Sequence, residues 1–184
     1  MKYRAFFRTA ILGLLLSVNV VLAQGEATAI QKLFTVKASF PEITVVGVVV
    51  NPNESGAADR LKKINIAAAS TGIQVVVAEA SNLKELAEAF TNLVAQYKVQ
   101  LVWVEGSDDL LNGKVSRDYL VKNATLKKMP LLAADPQWVD LGALMAVRKV
   151  DGKARLYLNT KAAKAIGLTY PENLAETADF FAAN

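Results

Sequence analysis

Ile43-Thr44-Val45-Val46-Gly47-Val48-Val49-Val50 runs without polar alternation after Thr44, every residue but Gly47 is β-branched, and Asn51-Pro52-Asn53 stops it. A strand with one wet face alternates apolar and polar residues, whereas a strand covered on both faces need not. Continuous valine and isoleucine runs mark the buried strands of parallel sheets. Reading outward, Ile73 to Ala78 and Leu101 to Val104 repeat the pattern, and Leu131 to Ala133 is a shorter version. Between them the period changes to that of a helix. Leu61, Ile64 and Ala68 recur over 57–71 before Gly72, and Leu83, Leu86, Phe90, Leu93 and Val94 share a face after Asn82. A further helix is expected over 115–126.

On the N-terminal side, 24–39 is an amphipathic lead-in with Ile30, Leu33, Phe34 and Lys37 at helical spacing, ended by Phe40-Pro41. On the C-terminal side, Leu144 to Val150 and Ala154 to Leu158 flank Asp151-Gly152, a strong two-residue hairpin signal. Asn159 then caps a short helix, Thr160 to Ile166, that Gly167 ends. This alternation predicts one α/β domain over 24–184: a doubly wound, flavodoxin-like parallel sheet with helices on both faces, finished by a hairpin and a short helix.

The first residues read differently. Lys2, Arg4 and Arg8 precede an apolar run, Ala10 to Leu22, and Val21-Leu22-Ala23 has the small and branched residues of a cleavage site. The run falls short of the roughly 20 apolar residues of a membrane anchor. A secretory signal peptide over 1–23 is therefore expected, leaving a periplasmic protein with no stable membrane insertion. Without Lys2, Arg4 and Arg8 the 21 basic residues become 18, against 17 acidic ones. That balance points away from nucleic acid.

The chain has neither His nor Cys. Disulfides, thiolate metal sites and Ser-His or Cys-His triads are thereby excluded. The glycines fit neither the dinucleotide fingerprint nor the phosphate loop. The sequence therefore predicts no enzyme, no cofactor and no metal site; a metal-assisted hydrolase using Asp108 or Asp135 is the distant alternative.

In doubly wound sheets ligands sit outside the carboxyl ends of the strands, which singles out 51–55, 79–82, 105–109 and 134–138. Asn51 either donates its amide to a ligand or forms a turn with Pro52. Glu105, Asp108 and Asp109 either hold a cation or an ammonium group or form a solvated loop in which an aspartate caps a helix; their spacing matches no Ca²⁺ loop. Trp103, flanked by valines, reads as core. Trp138, after Asp135-Pro136, is either a ligand platform or packing over the sheet end.

Several landmarks in order carry a resemblance: Phe40-Pro41, Gly47 to Pro52, Ser81-Asn82-Leu83, Met129-Pro130-Leu131-Leu132, Leu141 to Met145, and the tail from Leu156 through Asn159, Gly167-Leu168 and Tyr170-Pro171 to Ala178-Asp179. They resemble the second lobe of periplasmic substrate-binding proteins of ABC-type importers, of the tryptophan/tyrosine type. The resemblance implies that Asn51, Ser107, Asp108 and Asp135 help line a cleft for a small ligand such as an amino acid. The family has two lobes, whereas this chain has room for one, and the Asp151-Gly152 hairpin stands where a long helical passage is expected. A single lobe offers one open wall, so the expected partners are a small ligand together with a covering surface: a homodimer mate, a membrane transporter or a sensor protein. The alternative is a pure interaction module for such an ectodomain, with ligand binding lost.

Overall fold

The computed structural model describes residues 26–182; the leader expected over 1–23 lies outside them. Helix α1 (Ala29–Ser39) leads into β1 (Val45–Val50), followed by α2 (Ala57–Thr71), β2 (Gln74–Glu79), α3 (Leu83–Ala95) and β3 (Leu101–Val104). Then come α4 (Asp109–Asn112), α5 (Lys114–Leu126), β4 (Leu131–Leu132), α6 (Gln137–Asp140), the hairpin β5 (Met145–Val150) and β6 (Lys153–Asn159), α7 (Thr160–Ile166), a 3₁₀ turn (Glu172–Glu176) and β7 (Ala178–Phe181).

One sheet holds all seven strands in the order β2-β1-β3-β4-β5-β6-β7. The first five strands in that order are mutually parallel, β6 runs antiparallel to β5, and β7 runs parallel to β6. The leading 2-1-3-4-5 order is that of the flavodoxin-like doubly wound sheet, with its switch point between β1 and β3. The expected fold class is thus present.

The sheet separates two cores. On one face Leu33, Val36, Ile64 and Ala67 pack on Val46, Val48 and Trp103. On the other, Leu86, Phe90, Leu93, Leu120 and Ala124 pack on Val49, Val102 and Val104. Having helices on both sides explains why β1 and β3 carry no polar alternation.

Local chemistry sets most boundaries. Thr28 starts α1 with a capping box, its hydroxyl accepting from the Gln31 N–H while the Gln31 side chain accepts from the Thr28 N–H. Asn82 and Asn159 cap α3 and α7 by accepting from Glu85 N and Ala162 N. In the hairpin both turn residues have positive φ, 51° at Asp151 and 76° at Gly152, as a two-residue turn between twisted strands requires.

Four expectations need correction. β2 is not covered on both faces: it forms the edge of the sheet, and Val77 is 38% exposed. An apolar run without alternation does not distinguish an edge from an interior strand. In α1 the buried stripe is Lys32, Leu33, Val36 and Ser39, while Ile30 and Phe34 face outward. Leu83, at the start of α3, is exposed as well. Finally, the tail adds a strand, β7, beside β6.

Gly47 shows how tightly the second core closes on β1. A methyl group there would lie 2.9 Å from Leu93 Cδ2 and 3.0 Å from Cδ1, below van der Waals contact. Gly47→Ala should destabilise the protein by about 1–3 kcal/mol. Combined with Leu93→Ala it should cost clearly less than the sum of the two single changes. Urea unfolding of the three variants checks this, and additivity would place Leu93 out of reach of residue 47.

Candidate functional site

The loops after β1, β3 and β4 gather at the carboxyl edge of the sheet, where ligands bind in this architecture. At the switch point they bind one another. Asn51 accepts from the Asn53 N–H at 3.0 Å and donates through Nδ2 to Asp108 Oδ1 at 3.2 Å. The same Asp108 oxygen caps α4, accepting from Leu110 N at 2.8 Å and Leu111 N at 3.1 Å. Ser107 donates its N–H and its hydroxyl to Glu54 Oε1, which also meets Arg60 Nη2 at 2.9 Å. Of the two readings left open for Asn51 and Asp108, turn and cap describe their bonds.

Asp135 uses one carboxylate oxygen to accept from Gln137 N at 2.7 Å, turning the chain into α6. Its neighbour Trp138 is no platform. The indole is 2% exposed and packs in the second core with Val139 and Ala146, because α6 folds its apolar side back onto the sheet.

Two cavities open on this face. One, of about 410 Å³, is lined by Ser107 and Asp135 from the loops, by Asn112 at the end of α4, by Arg148 and Lys149 of β5, and by Glu26. It thus joins two of the five predicted residues, Ser107 and Asp135, and omits Asn51, Asp108 and Trp138. The other, of about 630 Å³, lies between α1 and α2, against Ile30, Arg60, Lys63, Ile66 and Glu105. Glu26 and Ala27 border both.

What fixes that border is a buried ion pair absent from the sequence expectations. Lys32, 1% exposed, sends its ammonium to Glu105 Oε2 at 2.8 Å and to Glu26 Oε1 at 2.7 Å. The ammonium also stands 5.5 Å from the centre of the Trp103 ring, within cation–π range. Glu105 does meet an ammonium, then, but it is the chain's own. The available signal was a lysine between the apolar residues of α1: a buried lysine requires an anionic partner. Among the described residues no group of three or more acidic side chains is placed to hold a metal ion.

A second charged group braces the hairpin. Arg148 and Arg155 lie directly opposite each other on β5 and β6, and both bind Asp179 of β7, at 2.9 Å and 3.1 Å. Burial alone would raise the Asp179 carboxyl, but the two guanidinium groups hold it below its ordinary value. Beneath Arg148, at 4.3 Å from the ring centre, Tyr157 donates to Asp140 Oδ1 at 2.6 Å. Burial, reinforced by that bond, pushes its phenol up to about 12.

A sequence profile of the family described as ABC transporter substrate binding protein matches residues 17–153. This chain belongs to that family. No curated protein sequence matches it significantly. Among solved structures, a conserved domain protein from Vibrio cholerae superposes with a TM-score of 0.70 at 20% identity over 85% of this chain. An ABC domain from Streptococcus pneumoniae, in complex with L-Trp, gives 0.67 at 19% identity over 83%. A substrate-binding protein with adhesive properties from Clostridium difficile, in its ligand-free open form, gives 0.66 at 19% identity over 86%. This chain spans 61% of the length of each. The shared substrate-binding fold agrees with the sheet order and with loops gathered at the strand ends. Among the described residues no helix is long and apolar enough to cross a membrane.

Two outcomes follow for this member of the family. Lys32→Met leaves Glu105 buried without its cation and should cost about 3–5 kcal/mol, whereas Lys32→Met/Glu105→Gln should recover part of the loss. Denaturant titration reads both, and a Lys32→Met variant as stable as wild type would make the pair energetically idle. For Asp179, whose folded pKa lies below that of the unfolded chain, the stabilisation is complete above the unfolded value of about 3.9. It is lost as pH falls through the folded value. Asp179→Asn should therefore lower stability at neutral pH and flatten the acid limb, read as melting temperature between roughly pH 2 and pH 6, the window about that unfolded pKa.

Proposed function

We propose that this chain is a non-enzymatic substrate-binding domain reduced to one lobe, exported by the leader at 1–23, with 24–184 acting outside the cytoplasmic membrane. It takes a small zwitterionic ligand, such as an amino acid, into the cavity between the β3 and β4 loops and the β5 strand. The carrying observation is that this cavity brings charges of both signs to one place, Asp135 from the loop after β4 and Arg148 and Lys149 from β5. Its volume of about 410 Å³ falls in the range of small-molecule sites. The L-Trp bound by the pneumococcal domain of the same fold supports an amino acid as ligand class.

Arg148 is already neutralised by Asp179, so Lys149 is the cation left to meet a ligand carboxylate. Asp135, with one oxygen committed to Gln137 N, keeps the other for an ammonium group. One wall buries only part of a ligand, and affinity then depends on a covering surface. A transporter, a sensor ectodomain or another copy of the chain fills that role.

A second reading, a protein-docking module that has lost its ligand, draws on the switch-point loops. Asn51, Ser107 and Asp108 use their polar groups on one another and on Glu54. That leaves few groups there to recognise a metabolite.

Calorimetric titration of the secreted protein with L-tryptophan and the other proteinogenic amino acids separates the two. Ligand binding predicts measurable heat for at least one of them. Asp135→Asn, which keeps the turn to Gln137, and Lys149→Met should each weaken binding roughly tenfold, the scale of one hydrogen bond to a charged group. Absence of heat with every amino acid, or affinity unchanged in both variants, would remove the zwitterion site.

A further inference from the structure

The edge strand β2 has one paired and one unpaired side among the described residues. Its inner side is fixed by β1: Gln74 N donates to Thr44 O at 2.8 Å and Ala80 N to Val50 O at 2.9 Å. Backbone groups alternate along a strand. Gln74, Val76, Ala78 and Ala80 therefore turn toward β1, while Val75, Val77 and Glu79 turn their N–H and C=O groups outward. Among the described residues no strand pairs with that side. Edge strands are normally blunted by charged side chains, lysine above all, or by proline, a bulge or shortness; β2 carries one charge, Glu79, at its last position. β2 has six residues, Gln-Val-Val-Val-Ala-Glu, in unbroken register with β1.

We propose that two copies of this chain join through their β2 edges, antiparallel about a two-fold axis at Val77, so that both sheets become one continuous sheet. In that register Val77 pairs with Val77 of the partner subunit, and Val75 pairs with Glu79 of the partner subunit. Every outward N–H and C=O in the three positions then meets its complement, which a two-fold axis placed between residues would not achieve. The flanks fit the same arrangement. A shallow groove of about 260 Å³ beside the edge carries Glu79, Glu85 and Glu88, and Tyr97 also lines it. Tyr97, 57% exposed, precedes the exposed Lys98, and the chain then reaches Gln100, whose N–H donates to Val45, the register partner of Gln74. Lys98 thus stands toward the Gln74 end and the carboxylates toward the Glu79 end, with Tyr97 between them in the groove. Antiparallel pairing sets each end against its opposite.

Because the paired strands run in opposite directions, the strand-end cavities of the two copies lie at opposite ends of the joined sheet and stay open. This association is separate from the covering surface of the ligand cavity, and its failure leaves the ligand reading intact.

The test is mass in solution by static light scattering on the secreted protein, from about 1 to 100 µM, which spans a micromolar association. Val77→Pro removes only an outward N–H, a change that edge strands tolerate. Val77→Lys places a charge on the edge and serves if the proline variant does not fold. Wild type should show the mass of two chains. The variants should show one, with unchanged far-ultraviolet circular dichroism. Amide exchange should be slow at Val75, Val77 and Glu79 in wild type and fast in the variants. A one-chain mass for wild type at every concentration, or a two-chain mass that survives both substitutions, overturns the proposal. Slow exchange at those amides in a one-chain particle also overturns it, since other residues of the same chain would then cover the edge.

Discussion

The ammonium of Lys32 is the point on which the strand-end face is organised. Moving a lysine and a glutamate out of water costs several kcal/mol per ion, and their attraction returns this only with close geometry and further hydrogen bonds. Here Lys32 meets Glu105 and Glu26 at hydrogen-bonding distance and the Trp103 ring from above. Glu105 directly follows β3, the central strand of the switch point, whereas Lys32 belongs to α1 on one face of the sheet. The pair thus ties a helix layer to a strand end. Glu26, drawn in by the same ammonium, holds residues 26–28 at the carboxyl edge. Glu26 and Ala27 stand on the border of the two cavities at that edge.

A different position for ligand recognition follows from this division. The switch point between β1 and β3 is where the fold leads one to look, and its side chains are turned inward on one another. Asn51 holds Asp108, Asp108 holds the start of α4, and Glu54 holds Ser107 and Arg60. Polar groups committed in this way stiffen the loops. Charges lining a cavity stand further along, at Asp135 after β4 and Lys149 near the end of β5. The proposed site is therefore displaced toward the hairpin.

How much of this was legible depended on whether a residue's surroundings are local in sequence. β1, β3, the Asp151-Gly152 turn and the cap at Asn159 are set by neighbours within a few positions, and the sequence shows them. The parallel order also follows from the alternation of strand and helix. Edge position is a different matter: the valines of β2 and of β1 look alike, and only the absence of a strand beyond β2 separates them. Trp138 follows a loop, and whether its indole faces solvent or core is settled by how α6 folds back. Lys32 and Glu105 are 73 residues apart. No local pattern joins them, although the odd lysine on an apolar stripe was a visible anomaly.

The hairpin shows how a neutralised charge can shape a site without touching a ligand. Like charges directly opposite on paired strands repel, and Arg148 faces Arg155. β4 contributes one register pair, at Met145, and β7 begins pairing only at Leu156. The turn half of the ribbon, from Val147 to Arg155, consequently projects without flanking strands. Two guanidinium groups in that ribbon would splay it. Asp179 accepts both, and the Tyr157 ring lies under Arg148, so the ribbon is held at its base from the β7 side. Lys149 points to the opposite face of the ribbon from Arg148, since side chains alternate along a strand. Bracing Arg148 therefore fixes the strand that carries Lys149 to the cavity, and a tail strand distant from any ligand sets the position of the charge proposed to meet it.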